Sequence, residues 1–290
     1  VLVDFADGTT GGRNTTGNIS IVNTPIRRNG GGTATGSGYS IRSYIDKNNN
    51  TYGTSGLKTA EIAQLYEAPP AFVPIWYGWS IYIPSSFIVP DNIGPNGRRL
   101  TTWEIITQFH PSGAFTFGNP TCHVDSYPNN VYSNATTVQS TQPPLWFGII
   151  GDDRPPAALT TSYQTSTRVQ LGLVQIGRWH DFVMRVVWDW RKTSDGGIGH
   201  VELWHNGTKY VDFLGQNCFN EAAAGAGNIG PYMKVGMYKG WDIAANVVSD
   251  SVYVNVGTRL FYHGELAIAL ESSGASFATV DPVTRVGPRP

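Results

Sequence analysis

The chain has 290 residues, a net charge of −1, 34 glycines and 18 prolines. A chain of this length can bury a sizeable core, and its near-neutral charge creates no global field that would attract nucleic acid or an anionic membrane surface. No apolar run approaches transmembrane length, so we expect neither partner. Short apolar runs punctuated by glycine and proline predict one all-β domain over residues 1–290.

Strands are predicted along the whole chain, separated by turns. After a short strand at 1–5 and an irregular segment to residue 37, they cover 38–45, 58–67, 76–83, 103–110, 145–150, 168–173, 179–190, 199–204, 209–213, 232–238 and 259–269. The Asn206-Gly207 pair favours a tight hairpin turn, residues 111–142 are predicted to form a long loop, and residues 272–290 a C-terminal tail. The pattern predicts a two-sheet sandwich of jelly-roll type, with a concave face suited to an extended polymer.

The segment 232–238 has two unlike faces when it forms a strand, because successive side chains alternate. Three apolar side chains make a core stripe on one face, while Tyr232, Lys234, Gly236 and Tyr238 share the other. The glycine leaves room above the sheet, which predicts the floor of a groove for an anionic ligand. The Cα atoms of Lys234 and Tyr238 would lie about 13 Å apart, enough to span adjacent sugar subsites. The alternative is a surface strand with a snorkelling lysine.

A second polar face is predicted on the strand 103–110. Alternation places Glu104, Ile106, Gln108 and His110 on one side. Three polar residues on one face are not core patterning, so this face is a candidate for substrate contact. The alternative is a strand face that points to solvent.

The inventory of polar residues favours elimination over hydrolysis. A glycosidase needs two carboxylates that flank one bond, and the strand with Glu104 has no second acid. There is also no G-x-S-x-G nucleophile motif. β-Elimination at a uronic acid suits Gln, His, Lys and Tyr, because donors that neutralise the carboxylate make the C5 proton removable, and a phenol beside cations can act as base. This chemistry needs no cofactor. A non-catalytic sugar-binding module remains the alternative.

These two strands also carry a resemblance. Gln108-Phe-His110 and Tyr232-Met-Lys-Val-Gly-Met-Tyr238 resemble the paired signatures of jelly-roll polysaccharide lyases. The order of the neighbouring segments 177–182, 201–207, 230–232 and 262–265 is most similar to the heparin lyase I-like superfamily and, within it, to fungal glucuronan lyases. The resemblance covers roughly residues 35–270. It implies an enzyme that cleaves an acidic polysaccharide, with β-1,4-glucuronan first and alginate as the alternative.

The resemblance also implies roles for individual residues. Tyr238 would be the catalytic base and acid, Gln108 and His110 would neutralise the uronate carboxylate, and His110 is an alternative base. Lys234 would bind an acidic group of the substrate. The other expected substrate contacts are Tyr232 and Glu104.

One part of the lyase pattern is missing from the sequence. The alginate lyases of this type carry an Arg-Ser-Glu-Leu-Arg strand with a catalytic arginine, and the nearest match here, Lys58-Thr-Ala-Glu-Ile-Ala63, has no arginine in register. Lys58 or Arg42 would substitute, or the role is absent. This departure weakens an alginate assignment.

Further expectations concern ions, modification and location. Members of the superfamily often hold a structural calcium ion, which implies Asp4, Asp7 and Glu265 as oxygen ligands. Five Asn-x-Ser/Thr sites predict a secreted glycoprotein, which we expect to be a monomer; they are Asn14, Asn18, Asn49, Asn134 and Asn206. Cys122 and Cys218 either form a disulfide or stay free.

Overall fold

The computed structural model describes residues 15–16, 18–23, 39–45, 51–52, 57–66, 68–84, 104–111, 120–126, 144–159, 162–239 and 259–286. Within these ranges the chain forms two antiparallel sheets. The predicted all-β, two-sheet sandwich is therefore confirmed, whereas the strand predicted at 1–5 lies outside the described residues.

In chain order the strands are β1 (Thr15–Thr16), β2 (Asn18–Asn23), β3 (Tyr39–Ile45), β4 (Thr51–Tyr52), β5 (Leu57–Leu65), β6 (Pro74–Ile83), β7 (Glu104–His110), β8 (Cys122–Ser126), β9 (Pro144–Gly151), β10 (Thr165–Leu173), β11 (Arg178–Val187), β12 (His200–His205), β13 (Thr208–Leu214), β14 (Tyr232–Lys239) and β15 (Arg259–Leu270). Two short helices follow, α1 (Phe277–Val280) and α2 (Pro282–Val286), and three-residue 3-10 helices occur at Pro156–Ala158, Thr193–Asp195 and Glu271–Ser273.

The first sheet has the strand order β1-β5-β14-β7-β8-β9-β10, with β4 also paired to β5, and the second has the order β13-β12-β11-β6-β15-β3-β2. Apolar side chains of both sheets meet in one core. Phe109 of β7, for example, packs edge-on against Tyr77 and Trp79 of β6. The face of the first sheet that points away from this core is called the outer face below.

The hairpin prediction is confirmed and the loop prediction is partly wrong. β12 and β13 are joined at Asn206 and Gly207, whose φ angles of 55° and 79° are those that Asn-Gly favours in tight turns. The segment 111–142 contains β8, which lies between β7 and β9. Its Val124 is fully buried in the core, so a strand forms there although its flanks are rich in Pro, Asn and Ser.

The predicted C-terminal tail is packed against the strands as far as residue 286. α1 packs on the second sheet, where the fully buried Val280 joins Trp76 and Val183 in a small apolar cluster. Gly78 of β6 permits this contact, because a Cβ atom there would lie 1.9 Å from the carbonyl oxygen of Val280.

The two cysteines are free and buried in the core, so the structure contains no disulfide between Cys122 and Cys218. Asn18 begins the edge strand β2, and the backbone N–H of Asp181 donates to Oδ1 of Asn206 at 2.9 Å. The other predicted glycosylation sites, Asn14, Asn49 and Asn134, lie outside the described residues. None of the helices in the described part of the chain has the length and apolar character needed to cross a membrane.

Candidate active site

The two polar strands predicted from the sequence are neighbours in the first sheet. β14 pairs with β7 so that Lys234 lies opposite Gln108 and Tyr232 lies opposite His110. Directly opposed residues of an antiparallel pair point to the same side. Since Val235 faces the core, the four polar side chains share the outer face.

An acid that sequence reasoning did not select lies beside this group. Glu61 of β5 pairs with Gly236 and is almost fully buried. The side-chain amide of Gln108 donates to Oε1 of Glu61, and Nζ of Lys234 lies 4.0 Å from Oε2. Burial raises the pKa of the Glu61 carboxyl, and the nearby Lys234 ammonium and the Gln108 amide offset part of that rise. Glu61 therefore orients both the amide and the amine.

His110 has a defined proton position when it is neutral. Its Nδ1 lies 2.9 Å from the carbonyl oxygen of Pro111, a distance that assigns the hydrogen to Nδ1. The lone pair then belongs to Nε2, the atom that can accept a proton. The hydroxyl of Tyr232 is 3.4 Å from Nδ1, and the two rings have centroids 5.6 Å apart. The structure thus groups Tyr232, not Tyr238, with His110.

Tyr238 lies on the same outer face, further along β14. The strand has a register shift there, because Val235 pairs with Thr107 but Tyr238 pairs with Ile105. Two residues of β14 face one of β7, and Gly236 has a φ of 132° that other residues rarely adopt. Lys234 and Tyr238 consequently flank a position with no side chain.

A second irregularity, between β7 and β8, overturns one prediction. Ile106 has no counterpart on β8, where Ile105 pairs with Asp125 and Thr107 with Val124. Ile106 joins the core, and the alternation of β7 reverses at this bulge. Glu104 is buried and pairs with Ser126, on the face opposite Gln108. The prediction that Glu104 and Ile106 share a face with Gln108 and His110 is wrong.

The two candidates for the missing cation lie in different sheets. Lys58 is in β5, at the register position opposite Lys239. Arg42 is in β3 of the second sheet, opposite Tyr262, with its guanidinium 4.7 Å from the centre of the Tyr44 ring. The structure therefore does not bring Arg42 to the outer face of the first sheet.

Polar residues continue across the outer face beyond β7. One row of directly paired residues runs from Lys234 through Gln108, His123 and Gly148 to Arg168, across five strands. Gly148 makes room for the imidazole, because a Cβ atom there would lie 2.3 Å from Cε1 of His123. At about 4.8 Å per strand, the row is about 19 Å long.

The far end of the row is a cluster of four side chains, here called the Arg168 cluster: Arg168, Asp125, His123 and Trp146. Asp125 is buried and accepts from the guanidinium of Arg168, while its Oδ2 lies 2.9 Å from Nε2 of His123. The guanidinium carbon is 5.1 Å from the centre of the Trp146 ring. The sequence shows His123 and Asp125 at alternate positions but predicts a loop over this segment.

Residues that could bind a metal ion occur elsewhere. His200, Glu202 and Asp212, on the hairpin of β12 and β13, have ligand atoms within 4.8 Å of one another. Nζ of Lys209 lies 2.6 Å from both carboxylates, so each of them already has an ammonium partner. Of the predicted calcium ligands, Glu265 is in β15 and accepts from Arg285 through its backbone carbonyl. Asp4 and Asp7 lie outside the described residues.

Comparison with known proteins gives a family for the chain. A family model described as "Polysaccharide lyase" matches residues 10–267. No curated protein matches the sequence. Solved structures with a similar fold include an alginate lyase, vAL-1 from Chlorella virus, at 10% identity over 93% of this chain and 98% of that chain with a TM-score of 0.48. The GH131 β-glucanase catalytic domain from Podospora anserina has 11% identity over 93% and 91% of the two chains and a TM-score of 0.47. At these identities and scores, the structural similarities indicate neither substrate nor mechanism.

Proposed function

Because the chain belongs to the polysaccharide lyase family, and thus acts on an acidic polysaccharide, we propose that it cleaves β-1,4-glucuronan at the outer face of the first sheet. The observation that carries the proposal is the grouping of Lys234, Gln108 and Tyr238 around Gly236. The first two supply donors for a carboxylate, the third supplies a phenol, and the glycine between Lys234 and Tyr238 carries no side chain.

The proposed reaction is a β-elimination. The uronate carboxylate binds to the Lys234 ammonium and the remaining N–H of Gln108, which stabilises the negative charge that develops when the C5 proton leaves. Tyr238, as its phenolate, takes that proton and becomes a hydroxyl, the electron pair forms the C4–C5 double bond, and the C4–O bond breaks. In β-linked glucuronate the C5 hydrogen and the C4 oxygen lie on the same side, so the same hydroxyl returns a proton to the leaving oxygen.

Glu61 has a supporting part in this proposal. A fully ionised carboxylate beside the substrate carboxylate would repel it. The Lys234 ammonium lies 4.0 Å from Oε2 of Glu61 and balances that charge. Glu61 can therefore hold Gln108 and Lys234 in place without a large electrostatic cost.

Glucuronan is proposed ahead of alginate for two reasons. The order of the segments 177–182, 201–207, 230–232 and 262–265 is most similar to that in glucuronan lyases, and β5 lacks the arginine that the alginate enzymes carry in the corresponding strand. Neither reason depends on the overall fold, which is common to proteins of different specificity.

The test is a cleavage assay on glucuronan, alginate and heparin-type polymers, which records the ultraviolet absorbance of the unsaturated product. We expect absorbance to rise fastest on glucuronan, and Tyr238→Phe to lose nearly all turnover while it still binds the polymer. Tyr232→Phe is the matched control, because it removes the same hydroxyl from the same strand face.

Each outcome has a distinct meaning. No absorbance on any of the three polymers would refute the lyase proposal and favour a non-catalytic sugar-binding module. A faster reaction on alginate would refute the substrate. A loss of turnover in Tyr232→Phe and not in Tyr238→Phe would move proton transfer to the Tyr232–His110 pair.

We also propose that the protein is secreted and N-glycosylated. The five Asn-x-Ser/Thr sites support them. Expression in a eukaryotic secretory host should give a protein whose mass falls after treatment with an N-glycosidase, and an unchanged mass would contradict the proposal.

A further inference from the structure

The outer face has the same construction at two positions, about 19 Å apart across four strand spacings. At one end, the partly exposed Lys234 lies over the buried carboxylate of Glu61. At the other end, the partly exposed Arg168 lies over the buried carboxylate of Asp125. The side chains of the two cations are 17% and 30% exposed, and those of the two acids 6% and 2%. In both places a buried acid fixes a cation that solvent can still reach.

Arg168 is well prepared to bind an anion. A guanidinium has five N–H donors in a planar fork that matches a carboxylate, and the Arg168 side chain is 30% exposed to solvent. Asp125 on one side and the ring of Trp146 on the other restrict its rotamers. A side chain that is already ordered loses less conformational entropy when it binds.

The row of paired residues from Lys234 to Arg168 indicates that a bound polymer would run across the strands. Gln108 and His123 lie between Lys234 and Arg168, and the row crosses the strands at one residue per strand. A polymer that follows this row passes a hydrogen-bonding side chain at β7 and at β8 and meets a cation at each end.

We propose that Arg168, oriented by Asp125 and Trp146, binds the carboxylate of a uronate residue several sugars away from the bond that is cleaved. This proposal rests on the proposed function, since it takes the substrate to be a polyuronate cleaved near Lys234 and Tyr238. The site therefore recognises chain length and not the reacting sugar.

The experiment compares Arg168→Gln with the wild type on glucuronan and on the shortest oligomer that the wild type cleaves. A hydrogen bond to a charged group contributes about 1.5–3 kcal/mol, so KM for the polymer should rise about 10-fold to 100-fold. kcat and KM for the shortest oligomer should stay unchanged. Arg178→Gln is the matched control, because Arg178 is exposed on β11 of the other sheet and the variant loses the same charge.

A second variant separates binding from folding. Arg168→Gln leaves Asp125 buried without its cation, so the double variant Asp125→Asn, Arg168→Gln is measured in parallel with thermal unfolding of each protein. If the double variant has the wild-type melting temperature and still shows the polymer-specific rise in KM, the proposal is supported. An unchanged polymer KM, or an equal loss on the polymer and the shortest oligomer, would overturn it.

Failure of the lyase proposal is distinguishable from failure of this one. If the wild type cleaves no uronan, migration in native gels that contain glucuronan reports binding alone. Weaker retardation of Arg168→Gln than of Arg178→Gln would then support an anionic subsite on a non-catalytic protein. Equal retardation of the two variants would reject it.

Discussion

We expect the stability of this protein to depend on pH because of one buried histidine. His263 of β15 is fully buried between the sheets, and its Nε2 donates to the carbonyl oxygen of Ile106 at 3.0 Å. Its Nδ1 has no hydrogen-bond partner among the residues that the structure describes. Burial lowers the pKa of the imidazole from 6.5 to about 4, although the bond to Ile106 opposes this shift.

The magnitude follows from linkage. The pKa is lower in the folded than in the unfolded protein, so the unfolded chain binds more protons between these two values. Stability is therefore full above the unfolded pKa and is lost as the pH falls through the folded pKa. The difference is worth about 2 kcal/mol at pH 5 and approaches about 3 kcal/mol below pH 4.

The perturbation is His263→Gln, which removes the titrating group but keeps a donor for Ile106. Urea unfolding, followed by tryptophan fluorescence, gives the free energy of unfolding at pH 7 and pH 5. We expect the wild type to lose about 2 kcal/mol more than the variant between these two values. Ile41→Val is the control, because Ile41 is the cross-strand partner of His263 and carries no titratable group. Its pH dependence should match the wild type, and parallel curves for His263→Gln would refute the reasoning.

Other predictions follow from contacts on both sheets. Gly78→Ala should release the C-terminal helices and lower the melting temperature by several degrees in a thermal scan, because the added Cβ would overlap the carbonyl of Val280; an unchanged melting temperature would contradict that contact. Glu61→Gln should lower KM for an anionic polymer about threefold to tenfold at low salt, because it leaves the Lys234 charge unbalanced. The new amide oxygen can still accept the hydrogen bond from Gln108. A KM that does not fall, or a change that does not depend on salt, would contradict this prediction. The two cysteine thiols should react with an alkylating reagent only after denaturant is added, because burial raises the pKa of both thiols. Rapid labelling of the native protein would contradict this prediction.

Alternation along a single strand predicts much of the candidate site. Tyr232, Lys234 and Tyr238 share the outer face because β14 keeps its period of two throughout. The same reasoning fails on β7, where the bulge at Ile106 reverses the period and sends Glu104 to the other face. A bulge depends on the pairing with β8 and β14, and a period read from one strand contains no information about its neighbours.

Contacts between distant segments account for what sequence reasoning missed. Glu61 precedes Gly236 by 175 positions, and only the pairing of β5 with β14 brings the two together. The Arg168 cluster requires β8, β9 and β10 to be adjacent. The composition around Cys122–Ser126 is typical of turns, so the sequence predicts a loop where β8 forms. It therefore does not predict that His123 and Asp125 lie on the same face of one strand.

Paired charges give the outer face a particular electrostatic character. Lys234 lies over Glu61 and Arg168 over Asp125, so neither cation adds much net field to the groove. A groove lined by unbalanced cations would bind every part of a polyanion tightly, and such uniform binding would not accelerate the reaction. Buried acids instead make attraction depend on hydrogen-bond geometry, which acts only when a carboxylate lies directly at Lys234 or Arg168. Recognition then depends on the positions of the cations and not on their number. The near-neutral charge of the whole chain is therefore compatible with an acidic polymer as substrate.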